Sequence, residues 1–186
     1  MDDPETVAQD PRREQYSRMA IALHWLTALL IVGSFTVGLS MVGLPLSRQK
    51  LQWYAWHKWI GITVFLVTCL RVAWRATHGA PRPLATMAPW QRRASVLAHD
   101  ALYGLLLVVP LSGWIYSSST GVQVVYLGLV PLPDLVPKDR ELARVLLALH
   151  LTLNFTLFSL VCVHTAAALK HHFIDRDAVL TRMLPP

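Results

Sequence analysis

The chain has 186 residues, of which 54% are hydrophobic and 15% charged, and its formal net charge is +6. Soluble proteins carry about 25% charged residues, so this composition predicts a membrane protein, and the length predicts one compact domain. The positive charge does not lie in basic clusters interleaved with surface aromatics, which argues against nucleic acid as a partner. Cys69 and Cys162 both lie inside apolar runs, which argues against a structural disulfide.

Four apolar segments are each long enough to cross a bilayer as a helix. The first runs from about residue 19 to 44, and the second from about residue 54 to 74. The third is free of charge from Ala101 to Val130, which is too long for one span, so we expect its helix to end at the Ser117–Thr120 breaker. Residues 122–137, which contain glycine and three prolines, then form an apolar loop at the membrane interface.

The fourth segment completes a predicted transmembrane bundle. It runs from about Glu141 to His172, and the helices together define a transmembrane domain of residues 19–172. An N-terminal tail of residues 1–18 and a C-terminal tail of residues 173–186 flank this domain. The predicted fold class is an all-α integral membrane protein, a four-transmembrane-helix bundle.

Loop charge predicts the orientation of the bundle. Positive side chains concentrate in the N-terminal tail, around the connection after the second helix, and in the C-terminal tail. With an even number of helices these regions share one side of the membrane, and the positive-inside rule places that side, with both termini, in the cytoplasm. The residues are Arg12, Arg13, Arg18, Arg71, Arg75, Arg82, Arg92, Arg93, Lys170, Arg176 and Arg182.

Two histidines in the fourth helix have an informative spacing. His150 and His164 lie in a stretch from Val145 to Leu169 that contains no Lys, Arg, Asp or Glu. Fourteen helical residues turn through about 1400°, close to four full turns, and rise about 21 Å. Both imidazoles therefore share a face but lie at opposite depths. Because polar groups inside a membrane are costly and usually functional, the spacing indicates two cofactor sites.

Two further histidines match these depths. His24 begins the first helix on the inner side, level with His164, and His57 begins the second helix on the outer side, level with His150. Each pair can supply two axial nitrogens to one iron from facing helices. Small residues in the first two helices leave room for a haem, namely Gly33, Gly38 and Gly61.

The chain resembles the bacterial cytochrome b561 family over nearly its whole length. The motifs that carry the resemblance are Ile21–Trp25, His57–Gly61 with Arg71, Pro110–Trp114, His164–Phe173 and Arg182–Pro185. The resemblance implies a four-helix bundle of the bacterial inner membrane with two b haems in its core. It implies haem ligands at His24, His57, His150 and His164, which are the residues paired above, and it implies quinone chemistry.

Three other polar residues have open roles near the inner side. His99 is expected at the start of the third helix, as a ligand of the inner iron, a hydrogen-bond donor to a haem propionate, or a helix cap. Arg71 is expected to contact a propionate, quinone or lipid phosphate. His171 lies seven residues past His164 on nearly the same face, where it exchanges a proton with quinone or carries charge at the helix C-terminus.

The predicted function is transmembrane electron transfer through two b haems, between a periplasmic one-electron partner and quinone. One branch of the family resembles superoxide oxidases, so the most specific prediction is a superoxide:quinone oxidoreductase that oxidises superoxide and reduces ubiquinone. Cationic residues on the outer side would steer the superoxide anion, namely Arg48, Lys50, Lys58 and Arg144.

Two alternatives remain open. The chain can instead be the haem-b membrane subunit that passes electrons between a dehydrogenase, hydrogenase or other redox protein and quinone. From a different class, it can be a metal transporter that uses the histidines as Zn or Cu ligands. A purely structural membrane protein gives no reason for the fourteen-residue spacing.

Overall fold

The computed structural model describes residues 15–79, 81, 84 and 87–184. Its main elements are four long helices and one short hairpin between the third and fourth. In chain order these are α1 (Arg18–Val42), α2 (Arg48–His78), α3 (Pro89–Thr120), β1 (Val125–Tyr126), β2 (Val130–Pro131) and α4 (Arg140–Lys170). A π-helical turn, His171–Asp175, extends α4, and a short 3-10 turn follows at Thr181–Met183.

Polar side chains and glycine define where these helices begin and end. The hydroxyls of Ser17 and Ser47 accept hydrogen bonds from the backbone one turn into α1 and α2. Asp139 accepts from two amides at the start of α4. Helix α3 ends at Gly121, whose φ of 76° lies in the left-handed region that glycine adopts at low cost.

The outward faces of the helices are apolar. Within the described residues, four helices are long and apolar enough to cross a membrane. Leu39 and Phe155 are 75% and 73% exposed, and the exposed hydrophobic surface continues along every helix. Such a surface is stable in lipid, where each helix satisfies its own backbone hydrogen bonds. The predicted four-transmembrane-helix bundle is confirmed.

The helices pack in an antiparallel bundle, with α2 beside α1 and α3, and α4 beside α3. Its apolar centre contains Val64, Leu106, Val109 and Leu157. Helices α1 and α4 also meet at this level, where the rings of Phe35 and Phe158 make an edge-to-face contact at 5.5 Å. Each pair of facing helices therefore presents side chains to one shared interior.

Two element predictions need correction. Helix α3 begins at Pro89, so His99 lies ten residues inside the helix and not at its start. The first turns of α3 carry charged residues and so fall outside the apolar run, although proline at the first position favours a helix start. The segment 122–137 is also not a plain loop, because β1 and β2 pair in it. Two-residue strands are too short for an alternating pattern.

The segment after α4 folds back along the bundle. The indole of Trp25 donates a 2.7 Å hydrogen bond to the carbonyl of Met183, which joins the end of the chain to α1. Arg12, Arg13, Arg82 and Pro185 lie outside the described residues. The predicted domain boundaries, with tails of residues 1–18 and 173–186, remain predictions.

Candidate functional site

The four predicted histidines form two facing pairs at opposite ends of the bundle. His24 of α1 and His164 of α4 have ring centres 6.3 Å apart, near both chain ends; we call them the terminus-side pair. His57 of α2 and His150 of α4 have ring centres 6.5 Å apart, near the β1–β2 hairpin, and form the hairpin-side pair. Fourteen residues of α4 separate the two pairs by about 21 Å.

The ring separations suit metal ligation. Two imidazoles bound to opposite sides of one metal ion, each by a bond of about 2 Å, have ring centres roughly 6 Å apart. The values of 6.3 and 6.5 Å agree with that arrangement. All four imidazoles are partly buried among transmembrane helices, where a polar ring needs a partner.

Hydrogen bonds orient both rings of the hairpin-side pair. Nδ1 of His57 lies 3.2 Å from the carbonyl of Ser34 and must donate to it, because a carbonyl only accepts. The hydroxyl of Ser112 donates to Val109, so it accepts from Nδ1 of His150 at 2.8 Å. Both rings therefore carry their proton on Nδ1, which leaves Nε2 as the metal-binding nitrogen.

Two glycines allow the helices to approach these rings. A Cβ on Gly38 would lie 3.1 Å from Cε1 of His57, and a Cβ on Gly113 would lie 2.9 Å from Cε1 of His150. Gly38 therefore leaves room for the His57 ring, while the predicted room for a haem stays a prediction. At Gly33 and Gly61 a Cβ would meet no described atom within 4 Å, although Gly61 lines the cavity beside His57.

A cavity of about 40 Å³ is lined in part by both hairpin-side rings. Its walls are largely apolar and come from all four helices, including Ile31, Phe35, Val64, Leu106, Val109 and Leu157. It is smaller than a haem, so binding a haem here requires some of these leucine, isoleucine and phenylalanine side chains to rotate. Apolar walls beside two Nε2 ligands nevertheless suit the hydrophobic face of a porphyrin.

The terminus-side pair has polar neighbours. Nη2 of Arg71 lies 3.3 Å from Nδ1 of His24, and its guanidinium also stacks 5.2 Å above the ring of Tyr103. The ring of His99 is 5.4 Å from that of His164 in an edge-to-face arrangement. The structure thus brings the predicted residues Arg71 and His99 to this pair.

The predicted anion-steering residues are not equivalent. Lys58, the residue after the His57 ligand candidate, is half-buried and donates a 2.7 Å hydrogen bond to the hydroxyl of Ser117. Arg144 is exposed and forms an ion pair with Glu141. The ammonium of Lys50 donates to the carbonyl of Leu44, and Arg48 is exposed. Of the four, Lys58 is the cation held inside the bundle near the hairpin-side pair.

His171 lies beyond the terminus-side pair in a separate polar cluster. Its Nδ1 is 2.6 Å from Asp177 and 3.3 Å from Asp175. Sequence reasoning did not identify Asp177, Ser112 or Gly113 as contacts of the histidines, or Tyr103 as a contact of Arg71. Ser112 and Gly113 lie within a motif that carried the family resemblance, which was the available signal for them.

Comparisons with known proteins identify the family of this chain. The family model described as prokaryotic cytochrome b561 matches residues 15–186. The chain is 36% identical over 175 residues to cytochrome b561 homolog 2 of Escherichia coli (strain K12), covering 92% of each chain. It is 28% identical over 172 residues to cytochrome b561 homolog 1 of the same strain, covering 92% of this chain and 97% of that one.

A third relative has a more specific name. The chain is 27% identical over 177 residues to a Yersinia pestis protein named probable superoxide oxidase CybB, covering 92% of this chain and 97% of that one. The family model spans nearly all of the described residues and all four helices. The chain therefore belongs to the prokaryotic cytochrome b561 family, whose members are b-type membrane cytochromes that transfer electrons across the membrane.

Proposed function

We propose that the chain holds two b haems, one at each histidine pair, and transfers electrons across the membrane between a one-electron partner and quinone. The observation that carries this proposal is the pair of ring separations, 6.3 and 6.5 Å, at opposite ends of the same bundle. A bound haem supplies a one-electron redox centre, while the protein supplies ligands, orientation and the local field.

At the hairpin-side pair, Nε2 of His57 and Nε2 of His150 are the proposed ligands. Ser34 and Ser112 hold the Nδ1 protons, so both rings keep the tautomer that metal binding needs. Gly38 and Gly113 let α1 and α3 approach the rings without a clash. Ser34 and Ser112 thus fix the ring directions, and Gly38 and Gly113 leave room for the rings.

At the terminus-side pair, His24 and His164 are the proposed ligands and Arg71 must move. A histidine that binds metal through Nε2 carries a proton on Nδ1, and Arg71 cannot donate to a nitrogen that is already protonated. Release of His24 leaves a half-buried guanidinium beside the pair. Such a group is well suited to bind a haem propionate, with two parallel hydrogen bonds.

His99 is assigned no axial role in this proposal. Its ring centre is 5.4 Å from that of His164, shorter than the separation of roughly 6 Å expected across one iron. The distance between the rings of His24 and His164 fits that separation better. A polar contact from His99 to a haem edge or propionate remains the proposed role.

The terminus-side end is proposed to face the cytoplasm of a bacterial inner membrane. Arginines and lysines concentrate where α1 and α3 begin and where α2 and α4 end, and the positive-inside rule then places both termini inside. Among the described residues these are Arg18, Arg71, Arg75, Arg92, Arg93, Lys170, Arg176 and Arg182. The hairpin-side pair would then face the periplasm.

Quinone, with ubiquinone as the leading candidate, is proposed to react on the terminus side. A depression of about 610 Å³ lies beside His171, between the α2–α3 connection and the end of α4. Its size lies within the range of about 300–1,000 Å³ common for small-molecule sites. His171 offers a titratable group there, and quinone reduction takes up protons.

Superoxide is the proposed donor on the hairpin side. Each superoxide ion would lose one electron and leave as dioxygen, and two such electrons with two protons convert one quinone to quinol. Lys58 supports this proposal, because its ammonium is held inside the bundle next to His57 and can attract a small anion. The name of the Yersinia pestis relative also supports it.

Haem content per chain tests the ligand assignment. The purified protein should contain two b haems, and His57→Ala and His24→Ala should each lower this to about one, because a single remaining ligand holds haem weakly. His78→Ala is a matched control, since this exposed ring stacks on Trp74 and away from both pairs. His99→Leu should also keep two haems. Two haems in His57→Ala would contradict the pairing, and absence of a Soret band would favour the metal-transporter alternative.

A superoxide pulse tests the donor. Under anaerobic conditions, we expect mixing with a pulse of superoxide to reduce the haems of the wild-type protein. If dithionite reduces the haems but superoxide does not, superoxide oxidation is wrong for this chain. Co-purification of a dehydrogenase or hydrogenase subunit would then favour the alternative of a haem-b membrane subunit.

A further inference from the structure

The turn after α4 places a carboxylate against His171. The π-helical turn ends at Asp175, and Arg176 follows it with a left-handed φ of 52°. This residue reverses the chain so that the amide of Asp177 donates to the carbonyl of His171. As a result Oδ2 of Asp177 lies 2.6 Å from Nδ1 of His171. The two side chains are 14% and 18% exposed, so the contact is shielded from water on most sides.

Asp177 and Asp175 differ in their other partners. Lys170 donates to both oxygens of Asp175, at 2.8 and 2.6 Å, and Asp175 is 3.3 Å from His171. Asp177 instead uses Oδ1 to accept a 2.9 Å bond from the amide of Val179, which fixes its carboxylate plane. The shorter and better-anchored contact to His171 is therefore that of Asp177.

The cluster lines the depression described above. Its opposite wall is formed by Leu84, Met87 and Gln91, from the α2–α3 connection and the start of α3. Because Nδ1 of His171 donates to a carboxylate, Nε2 is the nitrogen left to accept a proton. The carboxylate on Nδ1 also holds the ring in that orientation.

We propose that Asp177 is a positioning residue that makes His171 the proton-exchanging group of the quinone reaction; this rests on the function proposed above. In the quinol-oxidising direction, one quinol O–H bond breaks and an N–H bond forms at Nε2 of His171. His171 then releases that proton to water on the terminus side. The second quinol proton leaves by the same route, and the two electrons go to the two proposed haems. Quinone reduction follows the reverse path.

Rapid anaerobic mixing of the haem-loaded full chain, reduced with stoichiometric dithionite, with decylubiquinone tests this directly, because it needs no superoxide. We expect His171→Gln to slow haem oxidation by at least about a hundredfold, as loss of a proton-transfer partner does, and Asp177→Asn to slow it by about tenfold or more. The double variant should be no slower than His171→Gln, because Asp177 acts through His171. Asp177→Glu should recover part of the rate.

Asp134→Asn is the matched control and should stay within about twofold of wild type, since Asp134 is exposed between β2 and α4, at the opposite end of the bundle from His171. Haem content and the reduced-minus-oxidised spectrum should not change in any of these variants, which separates slow proton transfer from misfolding. A wild-type rate in Asp177→Asn, or equal slowing in Asp134→Asn, overturns the positioning role. If dithionite-reduced wild-type protein is not reoxidised by decylubiquinone, the quinone function itself is wrong, and the role of Asp177 with it.

Discussion

The two histidine pairs share a ring geometry but differ in their surroundings. His57 and His150 lie among apolar side chains, and their Nδ1 atoms contact an uncharged carbonyl and hydroxyl. His24 and His164 lie beside a guanidinium and a third imidazole. A nearby positive charge favours the reduced form of an iron centre, which has one positive charge fewer. We therefore expect the terminus-side haem to have the higher potential, so that electrons move from the hairpin side toward the terminus side.

Removing space at one pair should produce the largest effect. In Gly113→Leu the new side chain would overlap His150, because even a Cβ would lie 2.9 Å from its ring. We expect loss of the hairpin-side haem, so that haem per chain falls from two to about one. Gly104→Leu is the matched control in the same helix, since a Cβ there meets no described atom within 4 Å. Equal haem loss in both variants would show a general defect of α3. It would contradict a specific effect on the hairpin-side pair.

Removing the charge at the other pair should change that site alone. In Arg71→Gln we expect the higher of two midpoint potentials in a redox titration to fall, and the lower one to stay. Haem should also be lost more readily on dilution if the guanidinium binds a propionate. Arg75→Gln, an exposed residue one turn further along α2, should leave both midpoints unchanged. A fall in the lower midpoint instead would reverse the assignment.

The hairpin side should respond to loss of its internal cation. We expect Lys58→Gln to slow haem reduction by superoxide about two- to tenfold and to weaken its dependence on ionic strength, because one steering charge is lost. Arg144→Gln removes a charge that is already paired with Glu141 and should change the rate little. If Arg144→Gln slows the reaction more than Lys58→Gln, steering comes from the surface and not from the interior.

The hairpin itself should make a smaller contribution, to stability. The indole of Trp59 donates a 2.7 Å hydrogen bond to the carbonyl of Val125 in β1. Trp59→Phe should lower the free energy of unfolding by about 1 kcal/mol, the usual net value of one hydrogen bond. Thermal unfolding in detergent measures this, with Trp90→Phe as the control because Trp90 is 70% exposed. No difference between the two variants would mean that the bond does not hold the hairpin.

Sequence reasoning predicted the fold well because its main signals are local. Apolar runs of about 20 residues identify membrane spans, and the helical period places His150 and His164 on one face. The start of α3 was predicted about ten residues too late, because charged residues in its first turns interrupt the apolar pattern. Proline at the first helical position nevertheless favours a helix start there. The β1–β2 hairpin was missed for a similar reason, since four paired residues leave no periodic signal.

The site was only partly accessible from sequence. Depth matching alone indicated His24 with His164 and His57 with His150, and the facing rings agree with it. It did not indicate that Gly113 touches His150, or that Ser112 orients that ring. Those contacts depend on how far each helix is rotated about its axis. Depth along a helix is a property of its sequence, but rotation is decided by packing against its neighbours.

By itself, the sequence determined that this protein crosses the membrane four times and carries histidines at two depths. Hydrophobicity and the helical repeat are properties of a single segment, so they can be read without neighbours. Only the tertiary structure decided that Arg71 and His99 meet the terminus-side pair and that Asp177 meets His171. The contacts of Arg71 and His99 depend on which helices are adjacent. The contact of Asp177 with His171 depends on one residue with a left-handed backbone, Arg176, which turns the chain back. Neither has a periodic signal, because each is a single contact between segments.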